Sequence, residues 1–244
     1  TAYDAPFARL ADEAGVDLIL VGDSLGNTVL GYRNTLPVTL RESLHHTKAV
    51  VRGTTAALVI GDMPFLTYQI SQEEALRNAG RYLQEAGADG VKLEGGVRAA
   101  PTIARMVTTG IPVLAHIGLL PQSVKAEGGY RVQGRSEKEV NALVADAKAV
   151  QAAGAFAVVL EGVTADVSRR LTELLDIPTI GIGAGRHCSG QIQVMHDLLG
   201  LSDDFLPRHA RRYVNLADIV RKAFSDYADD VREQRFPTEE HSFQ

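Results

Sequence analysis

Cysteine is nearly absent from this chain of 244 residues: Cys188 stands alone, so neither an internal disulfide nor a multi-cysteine zinc site can be built from it. A reducing compartment, the cytoplasm, is the expectation. Positive charge is also sparse. With 25 Lys and Arg against 30 Asp and Glu, the net charge is −5 and no long basic block occurs. That argues against a nucleic-acid or membrane-surface partner and points to a small-molecule substrate. No apolar run approaches the roughly 18 residues of a spanning helix, and no signal-peptide pattern opens the chain.

What is present is a repeated unit. Glu13-Ala14-Gly15 leads through an apolar run to Asp23, Glu85-Ala86-Gly87 leads through Val91-Lys92-Leu93 to Glu94, and Ala153-Gly154 leads through Phe156–Leu160 to Glu161. Each time a helix stops at glycine and a short β-rich run ends in an acid. The pattern predicts strands at Leu18–Gly22, Ala56–Gly61, Gly90–Leu93, Val113–His116, Phe156–Leu160 and Thr179–Gly183, with a weaker seventh at Ile192–Met195. Ser71 with Glu74 and Ser136 with Glu139 read as capping boxes, and glycines 87, 110 and 154 as helix stops.

Apolar strands alternating with single helices imply parallel crossovers, and the length suits one (β/α)8 TIM barrel. Residues 1–244 are therefore expected to form a single barrel domain with a C-terminal helix, from Asp218 to about Gln234, and a polar tail, Phe236–Gln244. Seven strands are one short of closure, so the first strand is expected upstream of Thr1. The glycine-rich stretch Ile117–Arg135 reads as a lid loop.

In such barrels the active site lies where the strands end. That face receives Asp23, Asp62, Lys92, Glu94, His116 and Glu161. Converging carboxylates repel and raise one another's pKa unless a cation offsets them. Oxygen ligands without cysteine favour Mg²⁺, and a 2-oxo acid would chelate it through its carboxylate and ketone. A carboxylate left over could act as base beside the carbonyl, giving metal-assisted enolisation. Blander readings stand beside these: Asx turns for Asp23 and Asp62, an internal ion pair for Lys92 and Glu94, a core histidine for His116 and a structural salt bridge for Glu161. Gly181–Gly185 reads as a tight turn, His45 and His46 as packing or surface residues, and Cys188 as a thiol with no assignable base.

Val21-Gly22-Asp23-Ser24-Leu25-Gly26, Val91-Lys92-Leu93-Glu94-Gly95-Gly96 and the loop from Pro121-Gln122-Ser123 to Gly134-Arg135 together resemble the ketopantoate hydroxymethyltransferase family. So do Thr35–Thr39, Gly181–Gly185 and Met195-His196-Asp197, and the likeness extends to Phe243. The resemblance implies a barrel of the phosphoenolpyruvate/pyruvate-binding type. It also implies transfer of a hydroxymethyl group from 5,10-methylenetetrahydrofolate to 3-methyl-2-oxobutanoate, giving 2-dehydropantoate on the route to pantothenate and coenzyme A. By the same resemblance Asp23 and Asp62 bind Mg²⁺, Glu94 reaches it through water, and Glu161 is the general base. Ser24, Lys92, His116 and Tyr3 contact substrate, together with the metal-binding Asp23 and Asp62, and the chain assembles as a homo-oligomer, a decamer by the family's habit. Departures from the pattern fall at Gly162 and Thr164 beside the base, at Met63, and at Lys125-Ala126-Glu127 in the lid. Two competing readings are another Mg²⁺-dependent 2-oxo acid lyase or mutase on the same barrel, and a binding scaffold without turnover.

Overall fold

The computed structural model describes residues 1–202 and 206–243, so Gln244, the end of the expected tail, lies outside the described residues. Seven parallel strands form one sheet in strictly sequential order and curl into a half-barrel. They are β1 Leu18–Val21, β2 Leu58–Asp62, β3 Gly90–Glu94, β4 Val113–Gly118, β5 Ala157–Glu161, β6 Thr179–Ile182 and β7 Gly190–Gln191. Ala2 N–H donates to Leu20 O of β1 at 3.3 Å, and the Thr1 amine donates to Gln193 O, two residues beyond β7, at 3.1 Å.

Side-chain parity on these strands decides where the charges go. Val91, Leu93, Val113, Ala115, Ile117, Val158 and Leu160 join the layer packed against the helices. Leu20, Ile60, Leu114, Ala157 and Val159 pack together inside the sheet's curve. Alternation therefore sends Lys92, Glu94, His116 and Glu161 inward at the strand ends. A register slip of one residue would bury apolar side chains in the cup and expel the charges.

The helix α1 Ala5–Glu13 precedes β1, and α2 Leu25–Thr28, α3 Leu40–Gly53, α4 Gln72–Arg81, α5 Ala100–Thr108, α6 Val124–Glu127, α7 Glu137–Ala152 and α8 Ala165–Leu174 lie between successive strands up to β6. Ser136 and Glu139 close the expected capping box. Ser71 caps α4 by accepting from Glu74 N–H at 3.1 Å, without the reciprocal bond that would complete a box. Thr39 and Glu42 form a full box that starts α3 at Leu40. The expected lid is partly regular, with β4 reaching Gly118, a 3₁₀ turn at Pro121–Ser123 and then α6. A second compact unit, Met195–Gln244, carries α9 Met195–Leu199 and α10 Leu216–Arg232, the expected C-terminal helix.

The seventh strand is a correction. It was expected at Ile192–Met195 and lies at Gly190–Gln191. Its register is set by side chains. Thr179 N–H donates to Ser189 Oγ and Ser189 N–H donates to Thr179 Oγ1, both at 3.2 Å, which lays Gly190 against Ile180. Two residues are too few to show a period, and the apolar run beyond them is the stronger but misleading signal.

At the opposite end of the strands, Asp12 clamps the approach to β2. Its carboxylate accepts from the N–H groups of Thr55, Ala56 and Ala57 and from the Thr55 hydroxyl, at 2.6–3.1 Å. The Thr55 hydroxyl foremost, with these amides, holds the Asp12 pKa well below the ordinary carboxylate value. A depressed folded-state pKa contributes stability that is complete above the unfolded value, about 3.9, and is lost as pH falls through the folded one. Asp12→Ala is expected to lower the melting temperature at pH 7. The gap from the parent should narrow below about pH 4; a gap independent of pH would contradict this.

Candidate active site

The inward charges form a row across four neighbouring strands. Asp62 pairs with Lys92 in register and Glu94 with His116. Lys92 Nζ lies 2.8 Å from both oxygens of Asp62. His116 Nδ1 faces Glu94 Oε1 at 3.6 Å, and its Nε2 faces Glu161 Oε2 at 3.3 Å. Reading outward from β2 the sequence is carboxylate, ammonium, carboxylate, imidazole, carboxylate, so each acid has a basic neighbour. Asp23, just beyond β1, joins through its N–H, which donates to Asp62 Oδ2 at 3.0 Å.

Burial makes these charges interdependent. Burial, and next the charge of Asp62, push the Asp23 pKa up to about 7. Burial also raises that of Asp62, against the pull of Lys92. For Lys92 burial acts downward but is outweighed by Asp62, Glu94 and Asp23, so its pKa rises. His116 rises to about 9: burial and Lys92 act against its charge, and Glu161 and Glu94 override them. Burial likewise opposes ionisation of Glu94, but the imidazolium beside it brings its pKa below the usual value. The neighbouring acids thus favour the charged forms of Lys92 and His116.

Backbone geometry fixes the row. A side chain at Gly61 would set its Cβ 2.2 Å from the Tyr82 ring, so glycine lets Tyr82 close on β2. The hydroxyls of Tyr82 and Ser43 converge on the Asp62 carbonyl, at 2.7 and 2.9 Å. Tyr82 opens the π-turn Tyr82–Ala86 that follows α4, a distortion frequent near functional sites. At the far end Gly118 takes φ +98° and a Cβ there would lie 2.4 Å from the Glu161 carbonyl, which Leu119 N–H caps at 2.8 Å.

All eight residues singled out from the sequence lie at this end of the sheet. Tyr3 OH lies 2.8 Å from Ser24 Oγ, next to Asp23. The Tyr3 carbonyl meets His46 Nδ1 at 2.7 Å, which gives one of the two packing histidines a definite task. Gly162 is tied on both sides, its N–H to Ile182 O at 2.9 Å and its carbonyl to Gln133 N–H at 2.7 Å. Its φ of +57° is one that glycine adopts freely, so the departure beside Glu161 keeps a held backbone. Ser43, Tyr82 and Gln122 touch these acids and were not singled out from the sequence.

Among the described residues no three His, Cys, Asp or Glu side chains form a ready-made metal cage. Mg²⁺ does not require one, since it usually takes one or two carboxylates and completes its shell with water and substrate oxygens. Asp23 and Asp62 could supply that pair. Glu94 Oε1 and both His116 nitrogens are buried without a well-formed hydrogen bond, held only by the longer ion-pair contacts of His116 with Glu94 and Glu161. The donor set fits a hard divalent cation.

Sequence comparison decides the family. A profile described as ketopantoate hydroxymethyltransferase matches residues 1–239. The chain belongs to the ketopantoate hydroxymethyltransferase family. The 3-methyl-2-oxobutanoate hydroxymethyltransferase of Chloroflexus aurantiacus is 64% identical over 242 residues, covering 99% of this chain and 85% of that protein. Among solved structures, a 2,3-dimethylmalate lyase of the PEP mutase/isocitrate lyase superfamily superposes with a TM-score of 0.57 at 19% identity, covering 99% of this chain and 82% of that one. Phosphonopyruvate hydrolase, solved with oxalate and Mg²⁺, superposes with a TM-score of 0.60 at 16% identity, covering 98% and 86%. These structures establish the barrel fold that the family shares with its neighbours.

Proposed function

We propose that the chain transfers a hydroxymethyl group from 5,10-methylenetetrahydrofolate to 3-methyl-2-oxobutanoate, giving 2-dehydropantoate for pantothenate and coenzyme A synthesis. The observation that carries this reading is the contrast among the four carboxylates. Asp23, Asp62 and Glu94 are at most 5% exposed, whereas the Glu161 side chain is 23% exposed at the mouth of the cup. Three acids are placed to hold something, and one is placed to meet a substrate.

Asp23 and Asp62, with Glu94 through water, would hold Mg²⁺, which supplies Lewis-acid stabilisation of negative charge on the substrate's ketone oxygen. Glu161 removes the proton from C3. Lys92, fixed by Asp62, and the His116 imidazolium supply positive charge beside the electron density that the departing proton leaves. C3 then bonds to the methylene carbon of the donor, both bonds from that carbon to N5 and N10 of the folate break, water supplies the hydroxyl oxygen, and the proton from C3 and one proton of the water end on the two nitrogens. The balance is one keto acid, one methylene donor and one water giving one hydroxymethyl keto acid and tetrahydrofolate. Ser24 and Tyr3, linked to each other beside Asp23, orient the substrate.

No helix among the described residues is long and apolar enough to cross a membrane, in keeping with action in the cytoplasm. By the family resemblance we also propose that the chain assembles as a homo-oligomer, of the decameric kind.

Incubation with keto acid, Mg²⁺ and donor labelled with ¹³C at the methylene should place the label in 2-dehydropantoate by mass spectrometry. Unlabelled product, or none, would overturn the reading.

A further inference from the structure

Gln122, in the 3₁₀ turn after β4, reaches into the cup from the loop and is only 5% exposed. Its Nε2 donates to Asp23 Oδ2 at 3.1 Å and to the Met63 carbonyl at 3.0 Å. Its Oε1 accepts from the Tyr68 hydroxyl at 2.8 Å and from Gln69 Nε2 at 3.2 Å. Its backbone N–H donates to Glu94 Oε2 at 3.1 Å. A primary amide offers two N–H groups and two lone-pair sites, and here every one is used. The orientation is unique: turned over, the amide would set its oxygen against a carboxylate and a carbonyl. A glutamate at this position would do so in either orientation.

Tyr68 closes the ring, since Glu94 N–H donates back to its hydroxyl at 3.1 Å. One loop side chain therefore touches the Asp23 carboxylate while its own backbone holds the Glu94 carboxylate from the other side. The loop has a further tie that does not involve Gln122, from Arg98 Nη2 to Ser123 Oγ at 3.0 Å.

We infer that Gln122 is a positioning residue that holds Asp23 and Glu94 in the arrangement that receives a divalent cation, tying the loop after β4 to metal binding. This rests on reading Asp23 and Glu94 as groups at the metal. Groups that orient metal-binding side chains from behind typically contribute 10- to 100-fold in affinity. Methionine at 122 keeps the length and volume and removes the amide.

The test is Mn²⁺ binding to the full chain, without substrate, read from the electron paramagnetic resonance signal of free Mn²⁺, with melting in EDTA as the measure of folding. Gln122→Met is expected to melt cooperatively and to weaken Mn²⁺ binding roughly 10- to 100-fold. Tyr68→Phe, which removes one of the two donors to the amide's oxygen and the acceptor of Glu94 N–H but leaves the Gln122 contacts to Asp23 and Glu94 in place, is expected to weaken it less and in the same direction. Unchanged affinity in a folded Gln122→Met overturns the inference. Should that variant not fold, unchanged affinity in Tyr68→Phe overturns it instead. A parent chain that binds no Mn²⁺ overturns the metal reading of Asp23 and Asp62 itself, a failure that is distinct because it precedes any substitution.

Discussion

Glu161→Gln is expected to lower turnover at least about 10²-fold while 3-methyl-2-oxobutanoate still binds. Glutamine preserves the size of the side chain and its ability to meet His116 Nε2, 3.3 Å from the present carboxylate. What it removes is the capacity to accept a proton. Because the buried row from Asp62 to His116 is untouched, calorimetric titration of the keto acid in the presence of Mg²⁺ should give nearly the parent affinity. The loss should therefore fall on kcat rather than KM, as for a group needed only in the transition state. Near-normal turnover would remove Glu161 from the role of base.

Lys92→Met should produce the largest change in stability. Among the described residues the ammonium is the only cation paired with Asp62, which is 1% exposed, and it also offsets Asp23 and Glu94. Removing one partner of a buried pair leaves an uncompensated charge and costs about 3–5 kcal/mol. Urea unfolding in EDTA should show that loss at neutral pH. It should shrink as pH falls, because a carboxylate whose folded pKa is raised destabilises only while ionised and Asp62 can then take up a proton. Excess Mg²⁺ should restore part of the deficit, since a cation bound only by the folded chain stabilises it by mass action. A variant as stable as the parent in EDTA would mean that the row is not held by its charges.

Much of this site was legible because the barrel repeats one local rule. An apolar run that ends in an acid marks a strand end, and parity then puts Lys92 and Glu94 on one face without any knowledge of the fold. Asp62 was found as a residue after a strand and is in fact the last residue of β2, a shift too small to move its side chain. The boundaries that failed lacked such a signal. β7 is two residues long, and its register depends on a Thr179–Ser189 exchange of hydrogen bonds. The capping box at Thr39 and Glu42 was readable in the same way as those at Ser71 and Ser136 but was not singled out.

The missed neighbours share a physical reason. Tyr82 and Ser43 meet Asp62 across 20 and 19 residues, and Gln122 meets Asp23 across 99. A single polar residue at such a distance leaves no periodicity and no local motif. Gln122 also lay in a stretch rich in glycine, where the composition indicated a lid and concealed a side chain aimed at the carboxylates. The resemblance supplied roles for Asp23 and Glu161, and the geometry supplied the groups that hold them.

Proton exchange at C3 tests the account most directly, because it isolates the step assigned to Glu161 from the transfer of carbon. The chain would be incubated with 3-methyl-2-oxobutanoate and Mg²⁺ in D₂O without folate, and the C3 proton signal followed by NMR beside an EDTA control and Glu161→Gln. The account predicts loss of the signal that requires Mg²⁺ and is suppressed in the variant. Bound substrate that keeps its C3 proton, or exchange that proceeds equally in Glu161→Gln, would contradict it.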